Sequence, residues 1–388
     1  MTASGTNSIR SFLTGPDGWP YLLVPFIPLA VVLEFAHANA TLIFFVAAAG
    51  IIPTAALMGQ ATEHLAERSG PGIGGLLNVT FGNAPELIIA AFALAEGLQE
   101  VVKASIIGSI LGNILLVMGA AMIAGGIGRG GEVQKFDRTA ASVQSIMLLL
   151  AGAALLMPAV FEMIEGTGLP SPNDERVDYD STVEGLSVAV SVVLVLCYVA
   201  GLFFSLKTHR GLFNPVADQH EGAAEDAGGA HGAEEPWTVR KSLIALAVAG
   251  AAVGLMSEIL VGSITEASES VGLSPFFIGV IVVAIVGNAA EHWVAVLVAF
   301  KGKMDLAVNI AIGSSAQVAL FVAPALVFLS YIIGPGPMPL VFNGFELAAV
   351  LIAALVANAV AQEGESTWYE GVLLLAVYAV LGITFFVA

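Results

Sequence analysis

The sequence is short of charge and nearly devoid of cysteine. Only 11% of its 388 residues are Asp, Glu, Lys or Arg, well under the share of about 25% that covers an ordinary globular domain. A chain of this size cannot wrap itself in solvated surface with so few charges. The single cysteine, Cys197, excludes an intrachain disulfide, and its plain reading is a small apolar filler. Basic residues are scarce: 13 Lys and Arg face 31 Asp and Glu, for a net charge of −18. That balance excludes a nucleic-acid surface. Much of the acid lies in two stretches, 162–184 and 218–235. Met1–Pro20 lacks a basic head and a cleavage site, so no signal peptide is expected and the first apolar run serves as the insertion signal.

Apolar length is abundant. Hydrophobic residues make up 57% of the chain and the mean hydropathy is +0.89. Runs of about 20 residues, enough to cross a bilayer, fall at 20–36, 40–62, 72–95, 103–125, 139–160, 182–205, 238–262, 275–300, 305–330, 339–361 and 369–387. The fold class expected is therefore an all-α polytopic membrane protein with eleven transmembrane helices. A barrel is excluded because its strands would alternate apolar and polar residues, and these runs do not. Eleven of the 13 basic residues fall on the side holding the N-terminus, and only Lys103 and Arg176 on the other. The excess of Lys and Arg in cytoplasmic loops predicts a cytoplasmic N-terminus and a C-terminus on the opposite side.

Two segments share an unusual polar core. "FGNAPELIIA" at 81–90 and "VGNAAEHWVA" at 286–295 both carry Gly-Asn-Ala-x-Glu, 205 residues apart. A carboxylate at mid-bilayer costs about 2.5–3.5 kcal/mol on insertion scales, so two of them need a common reason. At the same offset Gly108-Ser109 matches Gly313-Ser314 and Gly74 matches Gly279. "ALMGQATE" also resembles "GLMSEILV" at a slightly different offset. Residues 1–38 then form an N-terminal segment with an extra helix, 39–206 a first five-helix repeat, 207–236 an acidic linker and 237–388 a second repeat. Five is odd, so the two copies enter the membrane from opposite sides. This inverted 5+5 arrangement puts a binding site near the midplane, where interrupted helices meet.

The candidate site follows from that arrangement. Glu86 and Glu291 lie on oppositely directed helices, with Asn83 and Asn288 on the same helical faces three residues earlier. Pro85 removes a backbone donor, and Gly82 and Gly287 loosen the chain, so nearby carbonyls can turn inward. The following helices bring Ser109, Asn113, Ser314, Ser315 and Gln317. A site of carboxylate, amide and hydroxyl oxygens suits Ca²⁺, which takes about six to eight oxygen ligands in flexible geometry. Zinc would want Cys or clustered His, magnesium fits less well because it keeps its waters, and Mn²⁺ stays open. The two acids are neutral with Ca²⁺ bound and neutral with one proton each, whereas empty they hold two charges in a medium that penalises them. Only the loaded forms cross readily, which makes an exchanger of at least two protons per Ca²⁺.

"GNAPELI" with "GSILGN", and "GNAAEH" with "GSSAQVALFVAP", resemble the paired signature repeats of the cation/proton (Ca²⁺/H⁺) exchanger family, within the cation/Ca²⁺ exchanger superfamily. The resemblance covers about 40–388. It implies alternating access, Ca²⁺ removal from the cytoplasm driven by protons, and Glu86 and Glu291 as the shared cation and proton site. It further implies that the second and seventh helices slide as gates, with Leu57, Met58, Leu255 and Met256 as plug residues or as ordinary packing. Sodium/calcium exchangers, the sister family, usually carry Thr-Ser where this chain has Asn83-Ala84 and Asn288-Ala289, which removes hydroxyls expected at Na⁺ sites.

Several side chains keep two readings. His292 is a packing residue or a proton relay, since neighbours on a helix diverge by about 100°. Glu63 and Glu258 are interfacial charges or entrance ligands, and Glu346 opens a helix, where its charge is favourable on dipole grounds alone. Glu221, Glu225, Asp226, Glu234 and Glu235 of the linker form a plain solvated tether or a cation sensor, without EF-hand spacing. An intramembrane protease is disfavoured because neither GxGD nor HExxH occurs. No cofactor is expected. The partners are Ca²⁺, H⁺ and the bilayer, with homo-oligomerisation left open, in a prokaryotic plasma membrane or a eukaryotic vacuolar one.

Overall fold

The structure, a computed structural model, describes residues 18–166, 168–172, 174, 176–209 and 237–388. The linker acids singled out above lie outside those residues. Among the described residues the fold is a bundle of long apolar helices, with one two-stranded ladder pairing Gln134–Lys135 with Glu365–Ser366.

The helices are α1 (Trp19–Phe35), α2 (Ala40–Gly82), α3 (Ala84–Ala95), α4 (Gln99–Gly128), α5 (Arg138–Glu165), α6 (Ser181–Thr208), α7 (Val239–Gly262), α8 (Ile264–Val271), α9 (Pro275–Phe300), α10 (Met304–Ser330), α11 (Gly344–Glu363) and α12 (Trp368–Val387). Polar caps set many of the starts. The Asn39 side chain accepts from Leu42 N, Asp137 from Thr139 N and Ala140 N, Asp180 from Thr182 N and Val183 N, and Thr238 from Lys241 N. Capping boxes, Asn343 with Glu346 and Thr367 with Glu370, open α11 and α12. Each cap satisfies orphan N–H groups at the end of an apolar helix, so the polar letters between apolar runs mark the rims of the bundle.

Nine of these helices are long and apolar enough to cross a membrane, and two apolar ones, Trp19–Phe35 and Ala84–Ala95, are shorter. This differs from the expected eleven full spans. The third predicted run, 72–95, is cut at Asn83, and its first part is assigned to the same helix as 40–62. That helix is nevertheless not one rod. A Cβ on Gly74 would collide with the backbone of Ala66, whereas a straight helix separates residues eight apart by about 12 Å. The chain therefore doubles back in the region of Pro71, and the arm that returns leads into the Asn83 break.

Loop contacts sort the bundle into two ends. At one, Arg68 Nε donates to Trp237 O at 3.2 Å, the ladder joins the α4–α5 and α11–α12 loops, and Asp137 N bonds Asp305 Oδ1. At the other, Gln99 Nε2 donates to Gly336 O at 2.9 Å and Thr41 meets Ser270. Between them α4 is the buried axis, with nearly every residue from Gln99 to Leu115 shielded. It packs against α9 so closely that a Cβ on Gly108 would overlap Val280 O, and one on Gly279 would lie 2.9 Å from Val101 O. Cys197 is free and exposed on α6.

Candidate functional site

The two shared motifs meet inside the bundle and face one another. A Cβ on Gly82 would lie 3.6 Å from Glu291 Oε1, and one on Gly287 would lie 3.3 Å from Glu86 Cγ. Each glutamate thus rests on the glycine of the other motif. A Cβ at Gly287 would crowd Glu86, whereas one at Gly82 would make ordinary contact with Glu291.

The backbones that deliver the acids differ. Asn83 sits between α2 and α3 with φ −94° and ψ 13°, and Pro85 lies in the first turn of α3. Pro85 has no N–H to continue the preceding helix, so a new one begins when Leu87 N bonds Asn83 O at 3.1 Å. Glu86 therefore stands in a helical first turn, where backbone dipoles favour a negative charge. The second motif behaves otherwise: α9 runs unbroken through Gly287 and Asn288, so the expected loosening at Gly287 does not occur. Ala290 occupies the place of Pro85 and supplies the missing N–H. Irregularity in α9 comes earlier, as wide π-turns at Ile278–Val283, with others at Gly112–Val117 in α4 and Val318–Val322 in α10. Such turns shift side chains off the regular ladder and often mark functional positions.

Hydrogen bonds tie Ser109, Ser314 and Gln317 to the two motifs, so not all of the predicted oxygen donors are free. Asn288 Nδ2 donates to Ser109 Oγ at 3.0 Å and to Ala284 O at 2.9 Å, which turns its Oδ1 into a buried acceptor without a partner. Asn113, fully buried in the π-turn of α4, leaves both amide atoms unpartnered, and Glu86 Oε2 is likewise buried and unpartnered. Buried polar atoms in native proteins are nearly always satisfied, so this concentration of bare oxygens fits an oxygen-ligated cation. Ser314 Oγ donates to Glu291 Oε2 at 3.0 Å and orients that carboxylate. Gln317 Oε1 accepts from Asn83 Nδ2 at 2.6 Å, and Ser315 Oγ points back to Ala311 O at 2.9 Å in its own helix. Ser315 is therefore bonded within its own helix, and Gln317 steadies Asn83. His292 packs over Gly112, where a Cβ would be 3.7 Å from its ring, and its Nε2 is buried without a partner.

Of the four residues considered as plugs, Met58 and Met256 lie on the seam between α2 and α7. A Cβ on Gly250 would be 3.4 Å from Met58 Cε, and one on Gly50 would be 2.9 Å from Met256 Sδ. Both methionines are buried, Leu57 is half-buried and Leu255 is exposed. Glu63 and Glu258 are exposed near opposite ends of the same seam. Glu346 is fully buried, with Oε2 accepting from Asn343 N at 2.8 Å, which agrees with its capping place.

Two features escaped the sequence reading. Lys103, expected at the outer end of the 103–125 run, is buried in α4, its Nζ 2.5 Å from Glu100 Oε1 and donating to Val341 O at 2.6 Å. The helix starts at Gln99, earlier than hydropathy indicated, because the i, i+3 pairing and the carbonyl compensate the charge. Gln144 of α5 reaches Gly313 of α10, where a Cβ would lie 3.3 Å from its Nε2. A single amide near a helix start gave no signal of this.

The architecture and the paired motifs describe an ion-exchanging membrane protein. The sodium/calcium exchanger protein family matches residues 39–207 and 241–387, and the chain belongs to that family. It is a transporter and not an enzyme. Among its relatives, the Ca(2+)/H(+) antiporter of Aphanothece halophytica is 45% identical over 368 residues, covering 94% of this chain and 95% of that protein. The Ca(2+)/H(+) antiporter ChaA of Bacillus subtilis is 44% identical over 362 residues, covering 93% and 96%. The solved structure of native YfkE matches with a TM-score of 0.78 and 39% identity, over 95% of this chain and 99% of that one.

Proposed function

We propose that the protein is a Ca²⁺/H⁺ antiporter that moves Ca²⁺ out of the cytoplasm, with Glu86 and Glu291 as the shared cation and proton site. The observation that carries this reading is the reciprocal seating of Glu86 on Gly287 and Glu291 on Gly82, with buried, unpartnered oxygens on Glu86 of α3, Asn113 of α4 and Asn288 of α9. Ca²⁺ replaces two protons at this pair; in either state the pair is neutral. The empty pair holds two charges in a poorly solvated setting, which disfavours passage without cargo. Ser109 and Ser314 hold Asn288 and Glu291 in place.

Eleven crossings, with the α2 return arm and α3 together making one broken span, are consistent with the loop contacts at two ends. The repeat would be inverted, 39–206 against 237–388, with the end rich in Lys and Arg facing the cytoplasm of a prokaryotic cell. The seam between α2 and α7 is the sliding surface that would open the site to either side. Sodium coupling is disfavoured because neither motif offers a hydroxyl at the Asn-Ala positions.

The test is Ca²⁺ uptake by proteoliposomes under an imposed pH gradient or an imposed Na⁺ gradient, with the potential clamped. Uptake is expected with the pH gradient alone. Uptake that requires Na⁺ would overturn the proposal.

A further inference from the structure

Beside the α2–α7 seam, away from the glutamate pair, lies an open cleft of about 390 Å³ lined by Leu57, Thr238, Arg240, Lys241, Ile244, Ala245 and Val248. Its chemistry is divided along its length. The first turn of α7 contributes two cations and a hydroxyl, and the next two turns contribute only aliphatic side chains, with Ile244 and Val248 more than half exposed. Among the described residues no carboxylate lies within ion-pair distance of Arg240 or Lys241. Lys241 Nζ sits 3.8 Å above the Trp237 ring, whose other contact is a stack on His64 at 4.7 Å. The aromatic ring thus holds one of the two cations at the mouth of the cleft.

The cleft's lining follows the first three turns of α7, a helix long and apolar enough to cross a membrane, so a peptide partner does not suit its aliphatic part. A molecule with an anionic head and a hydrocarbon tail matches both parts. Basic pockets beside membrane helices on the side rich in Lys and Arg suit anionic headgroups, each cation contributing about 1 kcal/mol. We propose that this cleft binds one anionic phospholipid, its phosphate on Arg240, Lys241 and Thr238, and an acyl chain along Ile244, Ala245, Val248 and Leu57. Because Leu57 adjoins Met58 on the seam, the lipid tail would wedge against the surface along which α2 and α7 slide.

Lipid retention can be read without transport, so the proposal stands or falls apart from the exchange reading. The full chain is placed in nanodiscs of mixed phosphatidylcholine and phosphatidylglycerol, extracted, and the retained lipids are counted by native mass spectrometry. One phosphatidylglycerol is expected on the wild type, about five-fold less on Arg240→Gln, the change that about 1 kcal/mol implies, and none on Ala245→Trp, which fills the floor. Arg240 is an exposed residue, so its variant decides the matter even if Ala245→Trp fails to fold. Equal retention of phosphatidylcholine, or wild-type retention by Arg240→Gln, would overturn the proposal. So would phosphatidylglycerol binding that appears only after deletion of 218–235, since the linker would then be the occupant.

Discussion

The two Gly-Asn-Ala-x-Glu segments are nearly the same in letters and unlike in backbone. The first is split at Asn83 and restarts as α3, whereas the second lies within one unbroken turn of α9. One residue explains the difference: Pro85 where the other copy has Ala290. The asparagines diverge accordingly, Asn83 bonding Gln317 on α10 and Asn288 bonding Ser109 on α4. A repeated motif therefore preserves the chemistry of its carboxylate while its neighbours decide how the chain presents it. The split copy is fastened through Asn83 to Gln317 of α10; the continuous copy is held by its own helix.

The comparison breaks most severely when either acid is lost. Glu86→Gln and Glu291→Gln each remove a charge that Ca²⁺ would have to balance, and Ca²⁺-driven exchange should fall to background in proteoliposomes while the protein still inserts. Near-normal flux from either variant would show that the two acids are not one site.

A smaller effect is expected when the glycines acquire a methyl group. Gly287→Ala places Cβ 3.3 Å from Glu86 Cγ, whereas Gly82→Ala places it 3.6 Å from Glu291 Oε1. The first is the tighter contact, and overpacking costs about 1–3 kcal/mol. Gly287→Ala should therefore raise the half-saturating Ca²⁺ concentration about ten-fold, and more than Gly82→Ala does. The reverse order would mean that the opposing acids are not seated as described.

The finest test is Pro85→Ala, which gives the first copy the N–H of the second. With that donor, residue 85 can bond Phe81 O, so the helix should propagate through Asn83 and draw its side chain from Gln317. Losing one buried hydrogen bond costs about 1 kcal/mol, so Ca²⁺ affinity should weaken about five-fold. Unchanged affinity, measured by calcium titration of the purified protein, would show that the break is incidental to the site.

Much of the candidate site was legible because membrane insertion makes polar residues conspicuous. Glu86 and Glu291 stood out against apolar runs, and their repetition pointed to a shared task. Ser315 and Gln317 were read as ligands from their oxygens alone. Their hydrogen-bond partners, Ala311 O and Asn83 Nδ2, depend on helix rotation and on a neighbour 234 residues away, and neither is encoded in local spacing. Lys103 marks the outer end of its apolar run because hydropathy counts its charge and cannot see Glu100 and Val341 O, which meet it inside the bundle.

By itself the sequence determined the class of molecule, the near positions of its spans, the two motifs and their acids. These depend on local quantities: apolar length against bilayer thickness, and the cost of a carboxylate in lipid. The tertiary structure alone decided which polar atoms remain unpartnered, which glycine receives which glutamate, and that α2 doubles back before the Asn83 break. These depend on distances between helices far apart in the chain, and no pattern of neighbouring residues sets such distances.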